Sequence, residues 1–400
     1  MAILVGHVWL FTGMFGGFTE AYPESIPNRA IVRMDGLIAV FFALSAFLLY
    51  RPMIAHRAGG ARAPKVSQYG VARFLRIYPA YWVALTALAI FPGLFGVFSD
   101  KWWAFYSMTD FLTLNATHAE CPRLIQGVDQ FVRCGLPQSW SLGVEVTFYF
   151  ALPFYAALTA LIARGREVRS WMRIELVLLV ALALSSLFLA EGPLAMREES
   201  WFKFSLLGHF YWLALGLVMA VLSVVYRDSG LPGWLRVATE RPGWCWAGAA
   251  TLWVITWFGF YPAPFPVGDF TTLQYLGLTL FQGAAAVLLL IPVLFGNPNR
   301  GIPARVFGHP VLVWLGVISY GIVLWHVTII VNIGYAGAQA GYGPTLVYAT
   351  LLTIPLAAIS YYLVERPLMR FKYRSPREVM AERRAARRAR RAVTDTGGST

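Results

Sequence analysis

Gln138-Ser-Trp-Ser-Leu-Gly-Val-Glu-Val-Thr-Phe-Tyr149 opens a long apolar run and carries a carboxylate, Glu145, inside it. In hydrocarbon every backbone polar group must be satisfied within the segment, so such a run reads as a helix. At about 1.5 Å per residue, Glu145 sits roughly 8 Å in from the start of that helix. A charge inside a membrane segment is costly and is a functional candidate by default. The plainer alternative is an interface carboxylate that snorkels or caps. Trp140, Ser141 and Glu145 stand at i, i+1 and i+5, which places aromatic and polar groups on neighbouring faces. Glu145 therefore calls for a partner among the few other ionisable residues in apolar sequence.

The rest of the chain has the same character. Of its 400 residues, 58% are hydrophobic and only 13% charged, against about 25% charged in soluble domains. Mean hydropathy is +0.58, and apolar runs of about 20 residues recur, which points to an all-α, multi-pass integral membrane protein. Runs at 1–18, 36–54, 76–98, 140–163, 171–190, 204–225, 244–261, 272–296, 308–334 and 344–364 predict a single bundle of about ten membrane helices. The first run is short for a crossing, which is expected if the natural start lies upstream or the chain is trimmed. The net charge of +13 concentrates in alternate loops and in the last thirty residues. Arg51, Arg57, Arg62, Lys65, Arg73 and Arg76 follow the second run; Arg164, Arg166, Arg169 and Arg173 follow the fourth. By the positive-inside rule these loops and both termini are cytoplasmic, in the plasma or inner membrane. The segment 1–370 is then one membrane domain. The tail 371–400, with Arg383-Arg-Ala-Ala-Arg-Arg-Ala-Arg-Arg-Ala392, is a basic, partly disordered partner for anionic lipid rather than for nucleic acid.

Cys121 and Cys134 share the long external loop 100–138, where a disulfide is expected if the compartment is oxidising. Cys245 starts a helix and reads as a packing residue. No Cys/His cluster has zinc spacing, so no metal is expected. No basic n-region precedes the first apolar run, so no cleavable signal peptide is expected. No internal repeat supports a transporter built of inverted halves.

Three further positions carry chemistry. His7 is an imidazole in an apolar run, either a base titrating near neutrality or a packing histidine bonded to a carbonyl. His326, in Ser319-Tyr-Gly-Ile-Val-Leu-Trp-His326, is placed by the orientation in the outer half with Glu145; its alternative is an interhelical hydrogen bond. Arg73 and Arg76 share a face at i, i+3 on the inner side, where they could clamp phosphates or simply mark the cytoplasmic end. Glu365, before Arg366 and Pro367, could brace one of these arginines or be a solvated helix end. Arginines thus line the cytoplasmic entrance, and His7, Glu145 and His326 lie deeper.

These segments resemble, in order, those of the membrane acyltransferase-3 family, the bacterial O-acyltransferases that modify surface glycans and some macrolides. His7 falls at the family's first-helix histidine. Val40-Phe-Phe-Ala-Leu-Ser-Ala-Phe-Leu-Leu49 resembles its FFxLSGFLL segment, and Arg73-Phe-Leu-Arg-Ile-Tyr-Pro-Ala-Tyr81 its RxxRIxPxY segment. Ser139–Tyr149 resembles WSLxxExxFY, Gly316–His326 the penultimate SYxxYLxH segment, and Glu365-Arg-Pro367 the closing ERP. The resemblance covers about 1–370. Two departures stand out: the family's arginine eleven residues before the histidine falls outside this chain, and Ala46 replaces the glycine of SGF.

The resemblance implies transfer of an acyl group, usually acetyl, from acyl-CoA as co-substrate to a hydroxyl of a sugar-containing acceptor. It implies His7 as base toward the acceptor hydroxyl or an acyl-relay group, with Glu145 orienting or charge-balancing the imidazole. Arg73 and Arg76 would hold the CoA phosphates, and Trp140, Ser141, Tyr320 and His326 would form the pocket wall. Two other readings remain open here: a transporter or flippase for a lipid-linked glycan or small molecule, and a non-catalytic family member.

Overall fold

The computed structural model describes residues 1–16, 26–59, 65–94, 96–110, 135–191, 202, 204–260, 271–297, 299, 301–336 and 341–371. Cys121, Cys134 and the basic tail from 372 onward lie outside these residues. Among the described residues all regular structure is helical. The elements are α1 (Ala2–Gly16), α2 (Ile26–Val32), a 3-10 turn (Arg33–Gly36), α3 (Leu37–Arg57), α4 (Val66–Leu88) and α5 (Trp102–Ser107). A 3-10 turn (Pro137–Ser139) leads into α6 (Trp140–Ala163), followed by α7 (Val168–Glu191), α8 (Leu206–Ser229), α9 (Gly233–Glu240) and α10 (Pro242–Gly259). Then come α11 (Thr272–Phe295), α12 (Gly301–Phe307), α13 (Pro310–Val317), α14 (Ser319–Ala336) and α15 (Tyr342–Ser360), closed by a wide turn (Tyr361–Glu365) and α16 (Arg366–Met369).

Seven helical stretches among the described residues are long and apolar enough to cross a membrane. Three of the expected runs differ from simple spans. The run near 308–334 is broken into α13 and α14, which meet at 67°; α1 is a shorter apolar helix; and α10 has 18 residues rich in Trp and Gly. The run expected at 36–54 starts earlier, because α2, the 3-10 turn and α3 join into one stretch, Ile26–Arg57. That shift brings Arg33 and Asp35 into the membrane-spanning stretch.

Close helix crossings are made by small residues, as expected where lipid supplies no hydrophobic drive between helices. A Cβ at Gly216 of α8 would lie 2.0 Å from the Ala43 carbonyl oxygen and 2.9 Å from the Ala46 Cβ. Ala39, Ala43 and Ala46 of α3 are fully buried. The Ala46 methyl is therefore accommodated by the glycine facing it. Gly321 of α14 packs in the same way on Ala357 of α15, its Cβ position 2.9 Å from the Ala357 Cα.

Two apolar cores result. The larger joins α3, α4, α6, α7 and α8, with Ala286 and Leu290 of α11. The smaller joins Leu4, Val8 and Phe11 of α1 to α14 and α15. Polar pairs also tie helices together. Arg57 bonds Glu175 at 2.5 Å and Thr159 at 2.6 Å, and Tyr50 donates to the same glutamate. Cys245 is buried and packs with its thiol toward the Ala238 carbonyl at 3.8 Å, as expected of a packing residue.

Candidate active site

A cavity of about 600 Å³ opens where the two cores meet, lined by α1, the 33–36 turn, α3, α4, α6 and α14. His7, Arg73, Arg76, Trp140, Ser141, Glu145, Tyr320 and His326 all line it. The arginines expected at the cytoplasmic entrance and the deeper His7, Glu145 and His326 thus line one cavity.

His7 and His326 form the central pair. His7 Nδ1 lies 2.7 Å from His326 Nε2, with the rings 9° from parallel. His326 Nδ1 lies 2.8 Å from the Ile322 carbonyl and 3.0 Å from that of Val323. Carbonyls only accept, so for neutral rings the partners assign the proton of His326 to Nδ1. Its Nε2 then accepts, His7 Nδ1 donates, and His7 Nε2 keeps its lone pair. The ring is positioned by packing as well: Leu4 and Val8 flank it on the α1 face that docks on α14 and α15.

Glu145 is placed differently from the expectation. It shares the cavity with His7, but its carboxylate accepts from Ser45 at 2.9 Å and Tyr149 at 2.5 Å. The hydrogen-bond partner of His7 is His326, so the carboxylate-on-imidazole pairing is replaced by an imidazole-on-imidazole pairing. Arg73 lies 5.7 Å over the ring of the same Tyr149. The path from Arg73 to Glu145 therefore runs through one aromatic side chain.

The second arginine is braced. Arg76 pairs with Glu365 at 3.3 Å, and Glu365 is buried behind it, outside the cavity lining. Tyr320 lies under the Arg76 guanidinium at 5.9 Å and donates to the Ile77 carbonyl at 2.8 Å. Arg73 Nε is buried without a hydrogen-bond partner. Two guanidiniums, one with an unused N–H, suit phosphate oxygens. Ser141 donates to the Gln138 carbonyl at 3.2 Å, and Trp140 packs on Phe42 and His209.

Among the cavity-lining polar residues that escaped the sequence reading are Asp35, Gln138 and Ser45. Asp35 stands just before the expected helix boundary at 36, outside the apolar runs searched for ionisable residues. Gln138 began the decisive stretch, yet an uncharged amide gives no signal of cost.

An acyltransferase domain family model matches residues 1–365. The chain is 25% identical over 350 residues to nodulation protein 10 of Rhizobium leguminosarum bv. viciae, covering 84% of this chain and 82% of that one. It is 24% identical over 362 residues to YrhL of Bacillus subtilis, provisionally assigned as a peptidoglycan O-acetyltransferase, covering 84% of this chain and 51% of that one. Identity to the peptidoglycan O-acetyltransferase OatA of Listeria monocytogenes is 21% over 303 residues, 73% of this chain and 44% of that one. The chain thus spans about half the length of these last two relatives. No solved structure matches it. With a family model spanning nearly all of it and apolar helices throughout, the chain belongs to the acyltransferase-3 family and is a multi-pass membrane acyltransferase.

Proposed function

We propose that this protein moves an acyl group, acetyl by default, from acyl-CoA on the cytoplasmic side to a hydroxyl of a sugar-containing acceptor. The acceptor is a cell-surface glycan, a lipid-linked saccharide or a glycosylated small molecule. The observation that carries this reading is the His7–His326 pair lining the same cavity as Arg73 and Arg76. Each guanidinium carries five N–H donors, and those not engaged, as Arg76 is by Glu365, suit phosphate oxygens. His7 Nε2, with its lone pair free, takes the proton of the acceptor hydroxyl as the oxygen attacks the thioester carbonyl. The new C–O ester bond forms, the C–S bond breaks, and the proton on His7 passes to the departing thiolate. General-base help of this kind is worth about 10²–10⁴-fold. His326 holds the tautomer. Glu145 balances charge toward Arg73 through Tyr149 and shapes the chamber with Ser141, Trp140 and Tyr320.

The same proposal takes about ten crossings, with α1, α10 and the bent α13–α14 pair added to the seven apolar spans, and both termini in the cytoplasm. It takes 1–370 as the catalytic membrane domain and 371–400 as a basic tail on the inner leaflet of the plasma or inner membrane.

Replacing His7 with alanine in the purified, folded protein abolishes transfer of acetyl from acetyl-CoA to alcohol acceptors, as read by thiol release and product mass. Retained turnover overturns the assignment of the base.

A further inference from the structure

The cavity is polar in two different senses, and the difference specifies a second ligand. On the Arg73 and Arg76 side it offers cationic N–H donors. Beside the histidine pair it offers two oxygen acceptors, Asp35 and Gln138, to which the transfer chemistry above gives no task.

Asp35 is set by its neighbours. Gln282 Nε2 donates to Oδ1 at 3.2 Å, and Arg33 Nη1 lies 3.5 Å from Oδ2. Arg33 itself is only 1% exposed, whereas half of the Asp35 side chain is open, and it lines the cavity. The support is anchored from behind: Arg33 donates to the Phe260 carbonyl, and Trp253 donates to the Arg33 carbonyl at 2.9 Å. Gly36 lets Gln282 come close, since a Cβ there would lie 2.9 Å from the Gln282 Cγ. The turn abuts the histidine's own helix, for a Cβ at Gly6 would lie 3.6 Å from the Met34 Cβ. One residue onward on each element come His7 and Asp35.

Gln138 is tied to the helix that carries His326. Its Nε2 donates to the Leu324 carbonyl at 2.8 Å, two residues before His326. That bond fixes the amide orientation and leaves Oε1, which is buried and without a hydrogen-bond partner. Gln138 is 6% exposed and lines the cavity. A buried acceptor left unmade is expensive, so such a group is fit to be completed by a ligand's donor.

We propose that Asp35 and Gln138 form the subsite for the acceptor: they receive O–H groups of a polyhydroxylated ligand, a sugar diol or triol, and hold one further hydroxyl against His7. Both groups accept and both line the cavity with the base, which matches an O–H donor carrying several hydroxyls. Phosphate, lacking donors when ionised, fits only the arginine side. A site built to bond a ligand hydroxyl discriminates strongly against the analogue lacking it, because its own polar groups are then left unpaired. This assignment rests on the acyl-transfer reading given under Proposed function.

The test uses the full chain in detergent or vesicles, acetyl-CoA as donor, and methyl glycosides with their monodeoxy analogues as acceptor probes. Wild type prefers one parent glycoside over one of its monodeoxy analogues by at least tenfold. Asp35→Asn and Gln138→Met each lose about 10- to 100-fold in kcat/KM for the parent glycoside, with the affinity for acetyl-CoA, measured by calorimetry, unchanged. In Asp35→Asn the preference for the parent over that deoxy analogue collapses toward one. Gln138→Met, which leaves the carboxylate and its supports in place, keeps the test open if Asp35→Asn folds poorly. Variants that discriminate among the analogues as wild type does overturn the subsite, as does an equal loss of acetyl-CoA affinity. A wild-type protein that binds acetyl-CoA but acetylates no glycoside overturns the sugar reading itself.

Discussion

The hydrogen bond between His7 and His326 ties the reacting ring to the backbone of α14 through a second ring. A rotatable imidazole becomes one with a set tautomer, and the setting group is itself held by carbonyls that only accept. His326→Leu removes the acceptor at His7 Nδ1 and leaves the ring free to turn or to carry its proton on the wrong nitrogen. Its kcat falls about 10²–10⁴-fold while KM for acetyl-CoA changes little. His326→Gln, whose carbonyl oxygen can accept from Nδ1–H, recovers part of that loss. Steady-state kinetics on both variants checks this; a glutamine no better than leucine argues that His326 only fills space. The residues of the site were legible one by one, and their pairing was not. His7 and His326 stood out as rare imidazoles in apolar sequence, but 319 positions separate them, and nothing in either run says that they meet. Glu145 drew the partnership instead because charge carries a larger expected cost than an imidazole, and the hydroxyls of Ser45 and Tyr149 that meet that cost are ordinary residues in helices.

Among the elements, α3 is the one that most others lean on. Its alanine face meets Gly216 of α8, Ser45 bonds Glu145 of α6, and its last turn sends Arg57 to Glu175 of α7. Apolar runs announced the helices but misread their ends. Arg57 reads as a charge of the loop after the second run, yet its side chain is 9% exposed and lies 5.3 Å over the Trp171 ring. The break between α13 and α14 was hidden because the hydropathy of the sequence is continuous through it. Removing one partner of a buried pair strands the other charge. Glu175→Ala is therefore expected to destabilise the folded protein by about 3–5 kcal/mol. The double variant Arg57→Met, Glu175→Leu, which removes both charges, loses less. Thermal unfolding in detergent reads both, and a single variant as stable as the double would show the pair to be inessential.

At the scale of the whole molecule, the orientation decides which end of the cavity meets the donor. The loops 58–65, 164–167, 230–241 and 296–309 follow alternate long helices and carry most loop arginines. The connections at the other ends are poorer in Lys and Arg, and 261–270 and 337–340 carry none. This asymmetry is the positive-inside signature. The proposed donor gives a chemical reason for the same sense, because the guanidiniums of Arg73 and Arg76, which would hold the phosphates of a cytoplasmic acyl-CoA, line the cavity. The two arguments, one from insertion and one from the charge of the proposed ligand, demand the same labelling pattern. Single cysteines placed at Arg166 and Thr239, in a background lacking the native cysteines, are shielded from a membrane-impermeant maleimide in intact cells and react once the cells are opened. Cysteines at Thr271 and Gly341 react in intact cells. The reverse pattern would put the arginines on the external side, where no acyl-CoA is made, and the phosphate role would fall while the His7–His326 geometry stood. A pattern in which Arg166 and Thr239 label on opposite sides would instead remove one of the crossings between them, α7 or α8, and with it the count of ten.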